Sequence, residues 1–376
     1  MKILHVVPTY YPAVRYGGPI VSVHGLCRSL VALGHEVHVF TTNVDGDGES
    51  DVPTDRPVEI DGVKVWYFKS NLLRRLYYSP DMQRGLKRSV SMYDLVHVHS
   101  MFLWPTLVAC REAYKQGIPY VLAPRGMLVP ELIKAKSQWI KTLWIRLFDA
   151  RNVKRATALH LTSKVEAEAL RLVVETTSTT WIVPNGVDVA TCNEWQGSVD
   201  GDQVLYIGRI NWKKGLERLI RAAAAGAPGR FTIAGNDEDG YLPTLKQLIE
   251  KNGLHDRFYF SGPVFGDEKD SLLRRSDLFV LPSINENFGN SVLEAMAQGC
   301  PVAVSETSGI VGELPEGAVH VMRNSDASVA SAIGDCLMKK EKREALSKTG
   351  FDAAGRFSWD KVARDMADRY EELLNG

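Results

Sequence analysis

Nowhere in these 376 residues does an apolar run approach the roughly 18 residues that a membrane-crossing helix needs. Cysteine is scarce: Cys27, Cys110, Cys192, Cys300 and Cys336 are odd in number and far apart, and none sits in a Cys-x-x-Cys pair or a Cys/His cluster. That spacing argues against a disulfide framework and a thiolate zinc site, and it favours a reducing compartment. Net charge is missing too, with 45 basic against 45 acidic residues. The molecule as a whole is therefore not a polyanion binder, no nucleic-acid partner is expected, and any basic surface must be local. The apolar start, Ile3 to Val7, stops at Pro8. It is too short for a secretory leader and has no small-residue cleavage site, so a cytoplasmic location is expected.

What is present is an ordinary globular balance, 45% hydrophobic and 24% charged, in a chain too long for one core and suited to two domains. Short apolar runs alternate with longer amphipathic ones. Residues 3–7, 37–41, 63–68, 94–99 and 118–122 read as strands. Helices are read at 20–33, closed by Gly34 as a C′ glycine, and at 102–115; the Asp- and Gly-rich stretch 43–57 reads as a loop. Such alternation implies parallel sheets covered on both faces. Trp181 to Asp188 reads as a further strand ending in a turn, Pro184-Asn185-Gly186-Val187-Asp188, the turn read as structural. A second series has strands at 204–207, 231–234, 258–261, 278–282 and 301–305, then mostly helix from 326 to 374. The expected layout is α/β: residues 1–188 an acceptor-side Rossmann-like domain, 189–202 a linker, 203–355 a nucleotide-sugar-binding Rossmann-like domain, and 356–376 a helix returning to the first domain. Two doubly wound domains facing a cleft put chemistry just after strands, where loops and helix N-termini point.

Four stretches stand in that position. Pro282 to Ala297 reads as strand end, polar loop and helix start, with Glu286 in the loop and Glu294 about one turn into the helix. The loop with Phe288, Gly289 and Asn290 forms a diphosphate-sized anion site, and Glu294 suits ribose hydroxyls. Glutamates near helix starts also simply complement the macrodipole. Gly208-Arg209 and Lys214-Gly215 follow the first strand of the second series; converging Arg and Lys suit a diphosphate that gains charge as it leaves, although a solvated basic loop has the same composition. Gly17-Gly18-Pro19 ends the stretch Tyr10 to Pro19 and allows close backbone approach, without the Gly-x-Gly-x-x-Gly of nicotinamide binders. His97 and His99 share a face of the strand 94–99, either as core residues or, at the carboxyl end, as site residues; Arg125 ends another strand.

Glu286 and Glu294, followed by Ala295-Met296-Ala297-Gln298-Gly299-Cys300-Pro301-Val302, resemble the motif of retaining GT-B glycosyltransferases of family 4, the glycosyl transferases group 1. The resemblance covers nearly the whole chain. It implies that Glu286 contacts the donor sugar and Glu294 the nucleotide ribose. It places Arg209 and Lys214 on the diphosphate, with Lys213 beside them. It sets Gly17 and Gly18 at the border of acceptor and donor phosphate, and favours His99 over His97 as a contact of the transferred sugar. The function it implies is transfer of a sugar from a nucleotide-diphosphate sugar, UDP or GDP, to a sugar or lipid-linked sugar in surface polysaccharide or glycolipid synthesis. Retention would proceed on the front face, with the leaving phosphate assisting the acceptor proton. The alternatives are a nucleotide-sugar epimerase or hydrolase of the same fold, or a non-catalytic two-domain sugar-binding protein.

No Asp-x-Asp follows a strand in a metal-binding context: Asp45-Gly46-Asp47 lies in a polar loop and Asp237-Glu238-Asp239 before a helix. No metal or other cofactor is expected. From Leu132 to Arg155, Lys134, Lys136, Lys141, Arg146, Arg151, Lys154 and Arg155 interleave with Trp139, Ile140, Leu143, Trp144, Leu147 and Phe148. This pattern suits an anionic membrane surface and equally a half-buried helix with basic edges.

Overall fold

The computed structural model describes residues 1–13, 17–130, 133, 138–238 and 240–376. Val14, Arg15 and Tyr16 of the glycine loop, Leu132, Lys134 and Lys136 of the basic stretch, and Asp239 lie outside the described residues. Two compact units form, Met1–Gly186 with Trp359–Gly376, and Val187–Ser358.

The first unit is built on an eight-stranded sheet in the spatial order Thr179–Ile182, Ala158–Leu161, Tyr120–Ala123, Leu95–His99, Lys2–Val6, Glu36–Thr42, Val63–Phe68, Val58–Ile60. All neighbours run parallel except the edge strand Val58–Ile60. Alternate residues serve two cores. Leu4, Val6, Val96 and Val98 face one cluster, while Ile3, Val7, Leu95 and Val121 face another shared with helices Gly18–Ala32 and Trp359–Asn375. Helix Gly18–Ala32 starts at Gly17, held at φ 67°, with Pro19 as its second residue. It stops at Gly34, at φ 89°, where Gly34 N–H donates to Val31 O (2.8 Å) and His35 N–H to Leu30 O (3.1 Å). The terminal helix is seated through Trp359: a Cβ on Gly25 or Gly186 would come within 2.2 or 2.4 Å of its indole.

The second unit carries six parallel strands in the order Phe258–Gly262, Arg230–Ala234, Gln203–Ile207, Leu278–Leu281, Val302–Ser305, His320–Met322. Among the parallel strands of each sheet the order reverses once. The reversal lies between Lys2–Val6 and Leu95–His99 in the first unit, and between Gln203–Ile207 and Leu278–Leu281 in the second. At such switch points the flanking loops turn apart and leave a crevice at the strands' carboxyl ends.

Residues 189–202, expected to be a linker, are instead tied into the second unit. Trp195 Nε1 donates to Ser276 O (2.8 Å), and the buried Asp277 carboxylate accepts from the backbone N–H groups of Ser198 (3.3 Å) and Gln203 (2.9 Å). Besides these polar bonds only Val189 and Trp195 of the strip pack against the apolar core, too few to give a periodicity that would mark it. Strands Ala158–Leu161 and His320–Met322 and helices Pro80–Ser89 and Lys164–Val173 were not expected.

Candidate active site

At the switch point of the second unit, two loops are laced together. Ile284 N–H donates to Lys213 O (2.8 Å), joining the loop after Gln203–Ile207 to the loop after Leu278–Leu281. Gly215 completes the contact. It sits at φ 66°, and a Cβ there would lie 2.1 Å from Pro282 O. The left-handed backbone and the missing side chain are both required, which explains why Lys214 is followed by glycine. Asn211 starts the short turn Trp212–Lys214 by accepting from Lys213 N–H (3.1 Å). The result delivers Lys214 Nζ onto Glu286 Oε2, with both side chains mostly buried at 16% and 17% exposure.

Glu286 is fixed through its backbone as well. Its N–H donates to Thr307 O (3.4 Å), and its carbonyl accepts from Gly309 N–H (3.0 Å). Ser283 Oγ donates to the same carboxylate oxygen that meets Lys214 (3.5 Å). Arg209 is held differently. Tyr206 O–H pins its carbonyl (2.8 Å), while its guanidinium pairs with Glu238 at 2.7 Å, at 48% and 39% exposure. An ion pair that exposed is worth about 0–1 kcal/mol, so Arg209 can exchange Glu238 for a phosphate at little cost.

Helix Asn290–Ala297 follows, starting from Gly289 at φ 104°. Glu294, expected on the ribose, pairs with Lys269 at 3.2 Å. Lys269 was missed, although it is the lone lysine of the acidic run Asp267-Glu268-Lys269-Asp270. Phe288, grouped with the donor contacts, has its side chain buried in the apolar core of the second unit, and its carbonyl accepts from Ile310 N–H (2.9 Å). Its apolar ring follows the burial rule, so only its backbone faces the loop. The structure thus brings Lys214 and Glu286 together and gives Arg209 and Glu294 separate partners.

At the first unit's switch point, His5, His97 and His99 line one sheet face, with His160 beyond them, all buried. Their tautomers follow from partners that can only donate or accept. Arg125 donates to His99 Nδ1 (3.3 and 3.2 Å), so neutral His99 donates from Nε2 to His5 Nδ1 (3.0 Å). His160 Nε2 donates to Val183 O (2.9 Å), accepts at Nδ1 from His97 Nε2 (3.2 Å), and Tyr370 O–H donates to His97 Nδ1 (2.6 Å). Burial, reinforced by the Arg125 charge, pulls the pKa of His5 down to about 3 and those of His97, His99 and His160 well below the ordinary value; neighbouring histidines add to the lowering. His99, expected to meet the transferred sugar, thus has both ring nitrogens engaged inside the protein. The ring nitrogens of His5, His97 and His99 lie within 4.8 Å of one another, a spacing open to a metal ion. The set offers no carboxylate or thiolate to neutralise a dication, and Arg125 adds a like charge.

Gly17 and Gly18 stand at the entry to the first helix, with open space where a Gly17 side chain would project. Ser100, Phe102 and Arg125, at the carboxyl ends of neighbouring strands, all have positive φ (76°, 62° and 56°). For non-glycine residues this is stored backbone strain, which concentrates at functional edges. Asp149 stabilises part of it by accepting from Phe102 N–H (3.0 Å).

Two doubly wound parallel-sheet domains, the second with a lysine–glutamate pair at its switch point, make this a GT-B protein. The chain belongs to the family 4 glycosyltransferases. The family described as Glycosyltransferase Family 4 matches residues 16–191, and the one described as Glycosyl transferases group 1 matches residues 194–352. An uncharacterized glycosyltransferase of Methanocaldococcus jannaschii is 25% identical, covering 99% of this chain and 98% of its own. The GDP-mannose:cellobiosyl-diphosphopolyprenol alpha-mannosyltransferase of Xanthomonas oryzae is 24% identical, covering 100% and 97%. Among solved structures, Anabaena HepE in complex with UDP and glucose superposes with a TM-score of 0.78 at 20% identity, covering 99% of this chain and 100% of that one.

Proposed function

We propose that this glycosyltransferase moves a hexose from UDP- or GDP-sugar to the hydroxyl of a sugar or lipid-linked sugar, with retention at the anomeric carbon. The observation that carries the reading is the buried Lys214–Glu286 pair at the switch point, with Arg209 on the same loop. As the bond to the sugar breaks, charge builds on the departing diphosphate, and Lys214 and Arg209 are the cations positioned to stabilise it. Glu286 orients Lys214 and offers a carboxylate to sugar hydroxyls; Glu294 serves the ribose. With the charge met by side chains, no metal is invoked. The leaving phosphate oxygen takes the acceptor proton on the face it departs from.

HepE holds UDP and glucose and the Xanthomonas relative acts on a diphosphopolyprenol-linked sugar, which supports this donor class and a lipid-linked acceptor. No described helix is long and apolar enough to cross a membrane. The helical stretch from Gln138 to Arg155 nonetheless exposes Trp139 (73%), Ile140, Leu143 and Leu147 beside Lys141, Arg146 and Arg151. That favours peripheral contact with anionic lipid over a half-buried helix.

The test is a thermal-shift series with UDP, GDP and ADP, repeated in Glu294→Ala. One nucleotide should raise the melting temperature, and the variant should lose the effect; no shift with any of the three sinks the reading. The anomeric proton coupling of the product, read by NMR, decides retention.

A further inference from the structure

Arg125 stands at the carboxyl end of Tyr120–Ala123, partly exposed, with its guanidinium held but not neutralised. Its partners are the neutral acceptors His99 Nδ1 and Asn185 Oδ1 (2.9 Å). Among the described residues no carboxylate lies within ion-pair distance of it. The acid whose charge it feels most, Glu166, has both oxygens occupied elsewhere: Oε1 accepts from Gly126 N–H (2.5 Å), and Oε2 from Thr162 N–H and Oγ1 (2.8 Å each). These bonds clamp the turn that carries Arg125, whose own φ is 56°.

A guanidinium taken largely out of water costs several kcal/mol unless a counter-charge meets it. Here the protein fixes its direction with two neutral acceptors and keeps the surrounding histidines uncharged. Among the described residues three of its five N–H vectors are used, which leaves two for a ligand. We propose that Arg125 is the centre of an anion site in the first unit that receives a phosphate group carried by the acceptor. The anion site rests on these contacts alone; calling its occupant the acceptor rests on the transferase reading above. Asn185 and Glu166 are positioning residues for it.

Melting curves at constant ionic strength, with inorganic phosphate replacing chloride, test this on the full chain. At about ten times its dissociation constant, phosphate should raise the melting temperature by roughly 2–4 °C. The shift should disappear in Arg125→Gln, persist in part in Arg125→Lys, and survive in Arg209→Gln/Lys214→Gln, where the second unit's cations are gone. A shift unchanged in Arg125→Gln, or abolished by the Arg209/Lys214 pair, overturns the proposal. If Arg125→Gln melts in chloride within 2 °C of wild type, its lost shift is lost binding; if it does not, Arg125→Lys decides, and an undiminished wild-type shift there also overturns it. Glucose 6-phosphate and phosphatidylglycerol vesicles separate the sources. An Arg125-dependent shift with the first assigns a soluble phosphate, and Arg125-dependent vesicle binding assigns a lipid head group. Failure of the transferase reading shows separately, as no UDP or GDP shift in wild type.

Discussion

Lys214 and Glu286 hold each other in the resting protein, and that shapes what either substitution should do. Glu286→Gln keeps the size and the Ser283 contact but releases Lys214 from its carboxylate. We expect kcat to fall by roughly 100-fold, the scale for removing one preorganised electrostatic group, while the nucleotide-induced thermal shift remains. Equal loss of both would make Glu286 a nucleotide-binding residue rather than one acting on the transferred sugar. The residues of this pair were legible in the sequence because each sits in a compact motif. Lys269, Asn185 and the Arg125–His99 contact were not, because each joins positions dozens of residues apart that only the fold brings together. Phe288 shows the opposite failure: motif neighbours alternate between loop and core, and adjacency does not say which way a ring turns.

Among elements, the parallel strands were readable because burial on both faces leaves unbroken apolar runs. Ala158–Leu161 escaped since it carries only four residues, one of them His160, directly after a basic helix. That histidine belongs to the stripe across three strands, and the stripe has a consequence for pH. Each of the four histidines is held neutral, with a folded pKa below the unfolded value near 6.5. Below that pH the unfolded chain takes up protons that the folded chain refuses, so stability is full above about 6.5 and is lost as pH falls, by at most about 1.4 kcal/mol per histidine per pH unit. Melting temperatures should drop between pH 7.5 and 5.5, and the drop should shrink in His160→Gln; an identical drop in the variant would refute the assignment. The helical stretch 138–155 makes a second element-scale case. Trp139, Leu143 and Leu147 are spaced four apart on one exposed face. Flotation with phosphatidylglycerol vesicles should carry the protein upward, and Trp139→Ser/Leu143→Ser should leave it at the bottom. A wild-type protein that stays at the bottom would remove the membrane from the account, and flotation of both proteins would remove this face from it.

At the scale of the whole molecule, each unit has its own sheet and its own core, but the chain does not divide between them in sequence order. The last helix lends Trp359, Val362, Met366 and Tyr370 to the core of the first unit, and Tyr370 also completes the histidine chain through His97. Burying four such side chains is worth roughly 6–12 kcal/mol, comparable with the whole stability of a domain. The second unit, by contrast, closes its sheet and core within Val187–Ser358. A chain ending at Ser358 should therefore lose the cooperative melting of the first unit while the second still melts as a unit and still shifts with UDP or GDP. The asymmetry is what matters. If the truncated chain kept both transitions, the terminal helix would be an accessory rather than part of the first core. If it lost the nucleotide shift as well, the donor site would need the first unit intact, and the assignment of nucleotide binding to Arg209, Lys214 and Glu294 alone would have to be given up.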